Sequence, residues 1–317
     1  MNNKQNLLFI GEAMLELVNK SEGYLGKSFA GDVYNTSVYL KRAFAQFNAK
    51  FVSALGQDKL SQEFITCIEN EAIDTSLIAE SGKHHMGAYM VVNDEHGERS
   101  FIYWRNDSAA KRMMSLLAKQ LSDQATESND IVFFSGITIA ILLPKERELF
   151  WTFLKKQKSM GARIVFDPNY RPALWESVET AKAEIHTAFT LSDWLMPGLD
   201  DFKALYQLST IEECIEFCSA YEFDELLIKQ GSDAVHIIDK DGHAVNEIIA
   251  SQNVVDTTSA GDAFNGVYLG ARLSGKSALY ATRLANYAAS KVIESPGAIM
   301  PKSLFIEALT QWRSKNK

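Results

Sequence analysis

The sequence predicts an α/β fold in which a mostly parallel central sheet is covered by helices on both faces and carries a small inserted β lid. Three observations predict it. Short apolar runs rich in Val, Ile and Phe recur along the 317 residues, each followed by a helical pattern. Two segments break that alternation with paired strand-like runs. Neither an internal repeat nor an interdomain linker is visible, so one domain over 1–317 is expected.

The strands expected in the main sheet are Leu7–Gly11, Lys50–Gly56, Asp130–Gly136, Arg163–Asp167, Trp194–Pro197 and Glu225–Gly231. Ligands of such sheets sit beyond the carboxyl ends of the strands, where Gly136, Asp167–Arg171, Gly198–Asp201 and Lys229–Gly231 fall. The lid is expected from about 12–30 and 85–105, as short strands with turns at Glu22-Gly23 and Glu95-His96-Gly97. The most apolar stretch, Ile131 to Leu143, is closed by Asp130 and Pro144 and reads as a buried strand and its loop; a membrane helix needs roughly 20 residues.

Composition narrows the function. With 46% hydrophobic and 23% charged residues the chain can bury a large core. A net charge of -8 argues against nucleic acid or an anionic membrane as the main partner, so an anionic substrate must be held by local Arg, Lys and backbone N–H groups. Cys67, Cys214 and Cys218 make no disulfide framework, and the N-terminus has no secretory pattern, so a cytoplasmic location is expected. Cys214 and Cys218 read as core packing, and the histidines, including His84 and His85, show no ligand spacing.

The chemistry centres on the run from Val255 to Phe264. Ser259, Ala260 and Gly261 leave the backbone nearly bare at the start of an apolar helix, where unpaired N–H groups and the helix dipole favour an anion. Asp262 beside it is expected to stay ionised near neutral pH and to take a proton from a hydroxyl or hold a metal; plain helix capping is the competing reading. Arg105 and Arg171 each follow a strand, and a guanidinium takes a carboxylate in two parallel hydrogen bonds, so a carboxylate-bearing substrate is expected; the alternative for each is a surface ion pair. Tyr89, Tyr103 and Trp104 offer hydroxyls and apolar faces to a small polyol, or they pack the lid.

One motif misleads. Gly270-Ala271-Arg272-Leu273-Ser274-Gly275-Lys276-Ser277 fits the P-loop pattern letter for letter, but a P-loop follows a buried strand, and the residues before it have helical spacing. Gly275 is expected to end that helix and Ser277 to start the next, with Lys276 a solvated turn residue. A dinucleotide-binding dehydrogenase is disfavoured, because Leu7–Gly11 is not followed by G-x-G-x-x-G.

Val255 through Gly266 resembles the second sequence pattern of the PfkB (ribokinase-like) sugar kinases, Asp-Thr-x-x-Ala-Gly-Asp. The likeness extends to Gly31–Val38, Tyr103–Asn106 and Phe166–Trp175, the last pointing to a branch that takes a keto-deoxy sugar acid. The resemblance implies a ribokinase-like three-layer sandwich whose lid covers the sugar and makes subunit contacts, hence a homo-oligomer. It implies ATP and magnesium as cofactors, Asp262 as catalytic base and an anion hole at Ser259, Ala260 and Gly261. It places Gly31 and Asn35 on the sugar hydroxyls, Asn169 and Lys229 on the phosphates, and Gly231 with Asn286 around the adenine; Lys229 solvated and Asn286 merely packed are the alternatives. Asp256 and Thr258 stand where some members hold a monovalent cation such as potassium, with loop capping an equal reading. Many relatives organise magnesium with Asn-x-x-Glu; here the stretch is Gly198-Leu199-Asp200-Asp201, where Asp201 is the candidate for the Glu and nothing replaces the Asn. The expected activity is phosphorylation of the terminal hydroxyl of an acidic sugar, against a neutral-sugar kinase such as a fructokinase or a silent sugar sensor.

Overall fold

Leu7 and Phe9 pack into one hydrophobic cluster and Leu8 and Ile10 into another, none with any exposed area. That is the alternation of a strand buried on both faces, and Ile131 and Phe133 against Val132 and Phe134 repeat it. The computed structural model describes residues 5–21, 23–93, 99–124, 129–248, 251 and 253–316. In chain order its strands are β1 (Asn6–Ile10), β2 (Met14–Ser21), β3 (Tyr24–Ala30), β4 (Asn48–Gly56), β5 (Ile78–Ser81), β6 (Gly87–Asn93), β7 (Arg99–Trp104), β8 (Ile131–Ser135), β9 (Arg163–Asp167), β10 (Trp194–Leu195), β11 (Glu225–Gln230), β12 (Ala234–Asp239) and β13 (Gly242–Glu247). The helices are α1 (Asp32–Ala43), α2 (Lys59–Glu69), α3 (Met113–Leu116), α4 (Ala118–Gln124), α5 (Gly136–Ile141), α6 (Pro144–Ser159), α7 (Val178–Leu191), α8 (Leu199–Tyr206), α9 (Ile211–Cys218), α10 (Ala260–Leu273), α11 (Ala278–Val292) and α12 (Lys302–Lys315).

Nine strands form the main sheet in the order β13-β12-β11-β10-β9-β8-β1-β4-β5. It is parallel from β11 to β5. One face is covered by α1, α2 and α10 to α12 and the other by α3 to α9, which makes three layers. Cys214 and Cys218 are fully buried in the second of these clusters. None of the described helices is long and apolar enough to cross a membrane.

The six expected strands are present, but two expectations need correction. Glu225–Gly231 is followed by the antiparallel pair β12 and β13 rather than a helix. Ile131 to Leu143 is a strand that turns directly into α5, because Ser135 and Thr138 cap each other's backbone at the junction. The lid is a separate four-stranded sheet in the order β3-β2-β6-β7, with β2 and β6 parallel. The expected turn at Glu95-His96-Gly97, and Glu22 of the other, lie outside the described residues. The P-loop look-alike is the end of α10 and the start of α11: Gly275 takes φ +79° after the helix, and the Ser277 side chain caps α11 by accepting from the Tyr280 N–H at 3.3 Å.

Candidate active site

Helix α10 starts differently. Ser259, just before it, holds left-handed backbone at φ 69°, and its side chain makes no capping bond. Such a conformation costs a non-glycine residue on the order of 1 kcal/mol. It leaves orientation in return: Ala260 donates to Thr257 O at 3.4 Å and Ala263 to Ser259 O at 2.9 Å, while the Gly261 and Asp262 amides between them make no hydrogen bond among the described residues. These free donors face a cavity of about 820 Å³ at the carboxyl ends of the sheet strands.

Asp262 lies in that cavity with Asp32 and Asp167. Burial, then the like charge of Asp32, pushes its carboxyl up to about 7, against the hydrogen bond that Asn35 Nδ2 donates to Oδ2 at 2.8 Å. The expectation of a carboxylate fully ionised near neutrality is therefore corrected, since the pocket desolvates the acid and surrounds it with others. Asn35 spends its amide on Asp262, and its Oδ1 is buried without a partner among the described residues.

The remaining acids are tied down by neighbours. Asp32 opens α1 and accepts from Val33 N at 2.9 Å and from Asn169 Nδ2 at 2.8 Å. Asn169 itself sits at φ 34°, another left-handed non-glycine residue in the cavity wall. Asp167, at the end of β9, accepts from Lys229 Nζ at 2.9 Å and Asn265 Nδ2 at 2.6 Å, and Lys229 also donates to Asn265 Oδ1 at 3.3 Å. Lys229 is thus paired at the cavity wall and not merely solvated.

From the lid, Met14, Tyr89, Phe101 and Tyr103 line the cavity. Tyr89 is buried, with its hydroxyl donating to Glu16 Oε1 at 2.6 Å, while Ser28 donates to Glu16 Oε2 at 2.6 Å. Burial and Glu16 both raise the Tyr89 hydroxyl far above its ordinary range, so it stays protonated. Trp104 is exposed and outside the cavity. Gly31 lines it where α1 begins.

The two arginines part company. Arg171 lines the cavity, donates to Tyr170 O at 3.1 Å and pairs with no acid among the described residues. Arg105 does not line it: its guanidinium is buried and pairs with Glu12. The expectation of two arginines facing one substrate carboxylate is corrected accordingly, because the charge of Arg105 is met by an acid of the chain.

At the far end Gly231 (φ 53°), Val235, Asn286, Ala289 and Ile293 form a cleft. Asn286 Nδ2 is buried there without a partner among the described residues, as a group awaiting a ligand acceptor would be. Asp256 accepts from Thr258 N at 2.9 Å and Gly297 N at 2.8 Å, which makes it a loop clamp; Thr258 lines the cavity. Asp201, the candidate for the magnesium-organising Glu, lines the cavity with both oxygens engaged by the backbone. Its oxygens accept from Tyr170 N and Gly198 N, each at 2.7 Å, and burial with the charge of Asp167 lifts it to about 6. Among the described residues no three His, Cys, Asp or Glu side chains gather closely enough to hold a metal. The hard oxygens of Asp32, Asp167 and exposed Asp200 still fit magnesium that keeps its water and phosphate ligands.

Sequence reading located Asp167 at the ligand edge and Asp32 within a motif but gave neither a role, and it missed Asn265, Glu12 and Glu16 as members of this constellation. Asn265 carried a usable signal, one helical turn beyond Asp262. Glu16 carried none: only the fold shows that β2 buries it while Leu15 and Leu17 stay partly exposed, the reverse of a strand facing an apolar core.

Residues 4–303 match the family described as pfkB family carbohydrate kinase. The chain is 35% identical over 303 residues to 2-dehydro-3-deoxygluconokinase of Dickeya dadantii, covering 94% of this chain and 97% of that protein. Among solved structures, 2-dehydro-3-deoxygluconokinase of Thermotoga maritima superposes with a TM-score of 0.80 at 18% identity, over 97% of this chain and 99% of that one. Fructokinase of Xylella fastidiosa with bound ATP gives 0.81 at 20% identity, over 98% and 100%.

Proposed function

We propose, for a chain that belongs to the pfkB family of carbohydrate kinases, that it transfers the γ-phosphoryl group of ATP to the terminal 6-hydroxyl of 2-keto-3-deoxy-D-gluconate (2-dehydro-3-deoxygluconate). The observation that carries this is one cavity holding three things: a carboxyl lifted to about 7, unpaired amides at a helix start, and an arginine without an acidic partner. Phosphoryl transfer asks chiefly for alignment and charge stabilisation. Asp262 takes the proton of the attacking hydroxyl. The unpaired amides of Gly261 and Asp262, at the bare turn of Ser259, Ala260 and Gly261, hold the transferring oxygens, while the Ala260 amide is spent on Thr257 O. Asn35 aims Asp262, and Asn35 Oδ1 with Tyr89, Tyr103 and Gly31 meets the sugar. Asn169 and Lys229 face the phosphates, and Gly231 and Asn286 the adenine. Magnesium, when bound with ATP, neutralises the phosphate charge that this acidic cavity would otherwise repel.

The similarity to a kinase named for this sugar acid supports the substrate, and Arg171 supplies the guanidinium for its carboxylate. The loss of Arg105 to Glu12 favours the rival reading, a neutral-sugar kinase such as a fructokinase. A panel of the keto-deoxy acid, fructose and ribose with a coupled ADP readout decides. The acid should lead in kcat/KM by more than about a hundredfold, and fructose as the better substrate ends the proposal. Arg171→Ala should cost the acid about ten- to a hundredfold and fructose far less; equal losses would assign Arg171 to ATP.

Three finer readings belong to the same proposal. The chain is one kinase domain, 1–317, with its lid from about 12–30 and 85–105, working in the cytoplasm. It forms a homo-oligomer through the outer lid face, where Ile102 and Trp104 are 47% and 55% exposed. Potassium binds at the loop of Asp256 and Thr258, with Asp256 shaping the loop; exchanging potassium for choline should then lower activity.

A further inference from the structure

All four chain crossings between the lid and the main sheet meet at one residue, Glu12. Glu12 lies between β1 and β2, the first crossing. At the second, the end of β3, a Cβ on Gly31 would stand 2.2 Å from the Glu12 carbonyl oxygen. At the third, the start of β6, a Cβ on Gly87 would stand 2.8 Å from Glu12 Oε1. At the fourth, the end of β7, Arg105 donates through Nη2 to Glu12 Oε2. Ser108, on the main-domain side, donates to Glu12 Oε1 at 2.5 Å. Glu12, Arg105 and Ser108 are 2%, 7% and 4% exposed, so solvent does not screen the cluster.

We propose that Glu12 is the positioning residue of the lid: through Arg105 and Ser108 it fixes the angle at which the sugar-facing side chains of the lid meet Asp262. The path is short. The Arg105 guanidinium lies 5.8 Å from the ring centre of Tyr103, a cavity-lining residue, and Met14 of the lining packs beside Gly87. Gly31 lets the backbone close on the Glu12 carbonyl and Gly87 lets it close on the carboxylate, which a side chain at either place would prevent. A buried ion pair adds little net stability, yet losing one partner strands the other charge, so the geometry holds together or yields together. Among the described residues Arg105 Nε has no partner and the guanidinium pairs with no acid but Glu12, so its place depends on that carboxylate.

The inference rests on the reading that the lid carries the sugar side of the site, and it separates sugar from nucleotide. Gly231, Asn286 and Ile293 are not lid residues. Glu12→Gln keeps the shape and removes the charge; Glu12→Asp keeps the charge and retracts it. Steady-state kinetics, run well below the melting temperature of each variant, should show Glu12→Gln raising the sugar KM between about tenfold and a hundredfold, the scale of a small misplacement. The ATP KM should stay within about twofold, and Glu12→Asp should recover part of the loss. Hydrogen exchange on the unliganded full-length protein supplies an independent readout. Glu12→Gln should speed exchange in β2 and β6 by at least about tenfold while β1 and β8 keep their protection. An unchanged sugar KM, or sugar and ATP KM rising together alongside a lower melting temperature, overturns the proposal. If no sugar acid is a substrate, the functional reading fails by itself; exchange acceleration confined to the lid then upholds Glu12, and its absence refutes it.

Discussion

Two helix starts lie close together in this chain, and the one whose letters advertise a phosphate site is the one that lacks it. At α11 the P-loop-like run ends in Ser277, whose hydroxyl accepts from the Tyr280 amide, and no strand precedes it. At α10 Ser259 offers no cap and holds strained backbone, so the Gly261 and Asp262 amides are left without partners in the cavity. A capped helix start has spent its donors. An uncapped one, kept so at a conformational cost, has donors to give. The state of the first-turn amides, more than the glycines and lysine around them, distinguishes an anion site from a turn.

Exchanging the chemistry at the two starts should give opposite phenotypes. Asp262→Asn should lower kcat by about a thousandfold or more with little change in substrate KM, because a base acts only as the hydroxyl reacts. Turnover within tenfold of the parent would put the base elsewhere. Gly261→Pro removes one unpaired amide of the first turn, which has no intrahelical partner to lose, and should cost about a hundredfold in kcat, as loss of an oxyanion donor does. A larger loss of stability than of activity would mean that this amide serves the helix.

Protonation sharpens the same contrast. With Asp262 at about 7 in the unliganded protein, kcat/KM should rise with pH through that value, and a profile flat from pH 5.5 to 8.5 would contradict it. The sign for stability is opposite. A carboxyl raised above its unfolded value contributes stability that is fully present below about pH 4 and lost as pH rises through about 7. Asp262→Asn should therefore stabilise the protein by about 2 kcal/mol at pH 8 and hardly at all at pH 4. At the other start the effects should be small: Ser277→Ala should cost about 1 kcal/mol of stability as a lost cap, with kcat and both KM values unchanged. A loss of ATP affinity in Ser277→Ala or Lys276→Ala would reverse the assignment of the two helix starts.

Much of the fold could be read along the chain because its main strands are buried on both faces. Leu7–Ile10 and Ile131–Phe134 need every residue apolar, and such runs announce themselves. The strand β13 did not: its residues Gly242–Glu247 are exposed apart from Asn246, so it carries no apolar pattern and is held by pairing to β12. The site divides in the same way. Asp262 and the bare turn before it are contiguous and visible, whereas their partners are remote: Asn35 is 227 residues from Asp262, and Asn169 is 137 from Asp32. Arg105 shows the cost of that distance. Its side chain type and strand-end position suited a substrate carboxylate, but Glu12, 93 residues earlier, reaches it first, and only folding reveals which acid an arginine meets.

The convergence of four crossings on one acid also sets how the lid can be exchanged between relatives. A cassette cut at Ala13, Ala30, Gly87 and Trp104 would carry every lid strand and leave the pivot in the recipient. Grafts that keep the acid, the arginine and both glycines should dock at the native tilt, so a new sugar preference could be transplanted without rebuilding the phosphate end.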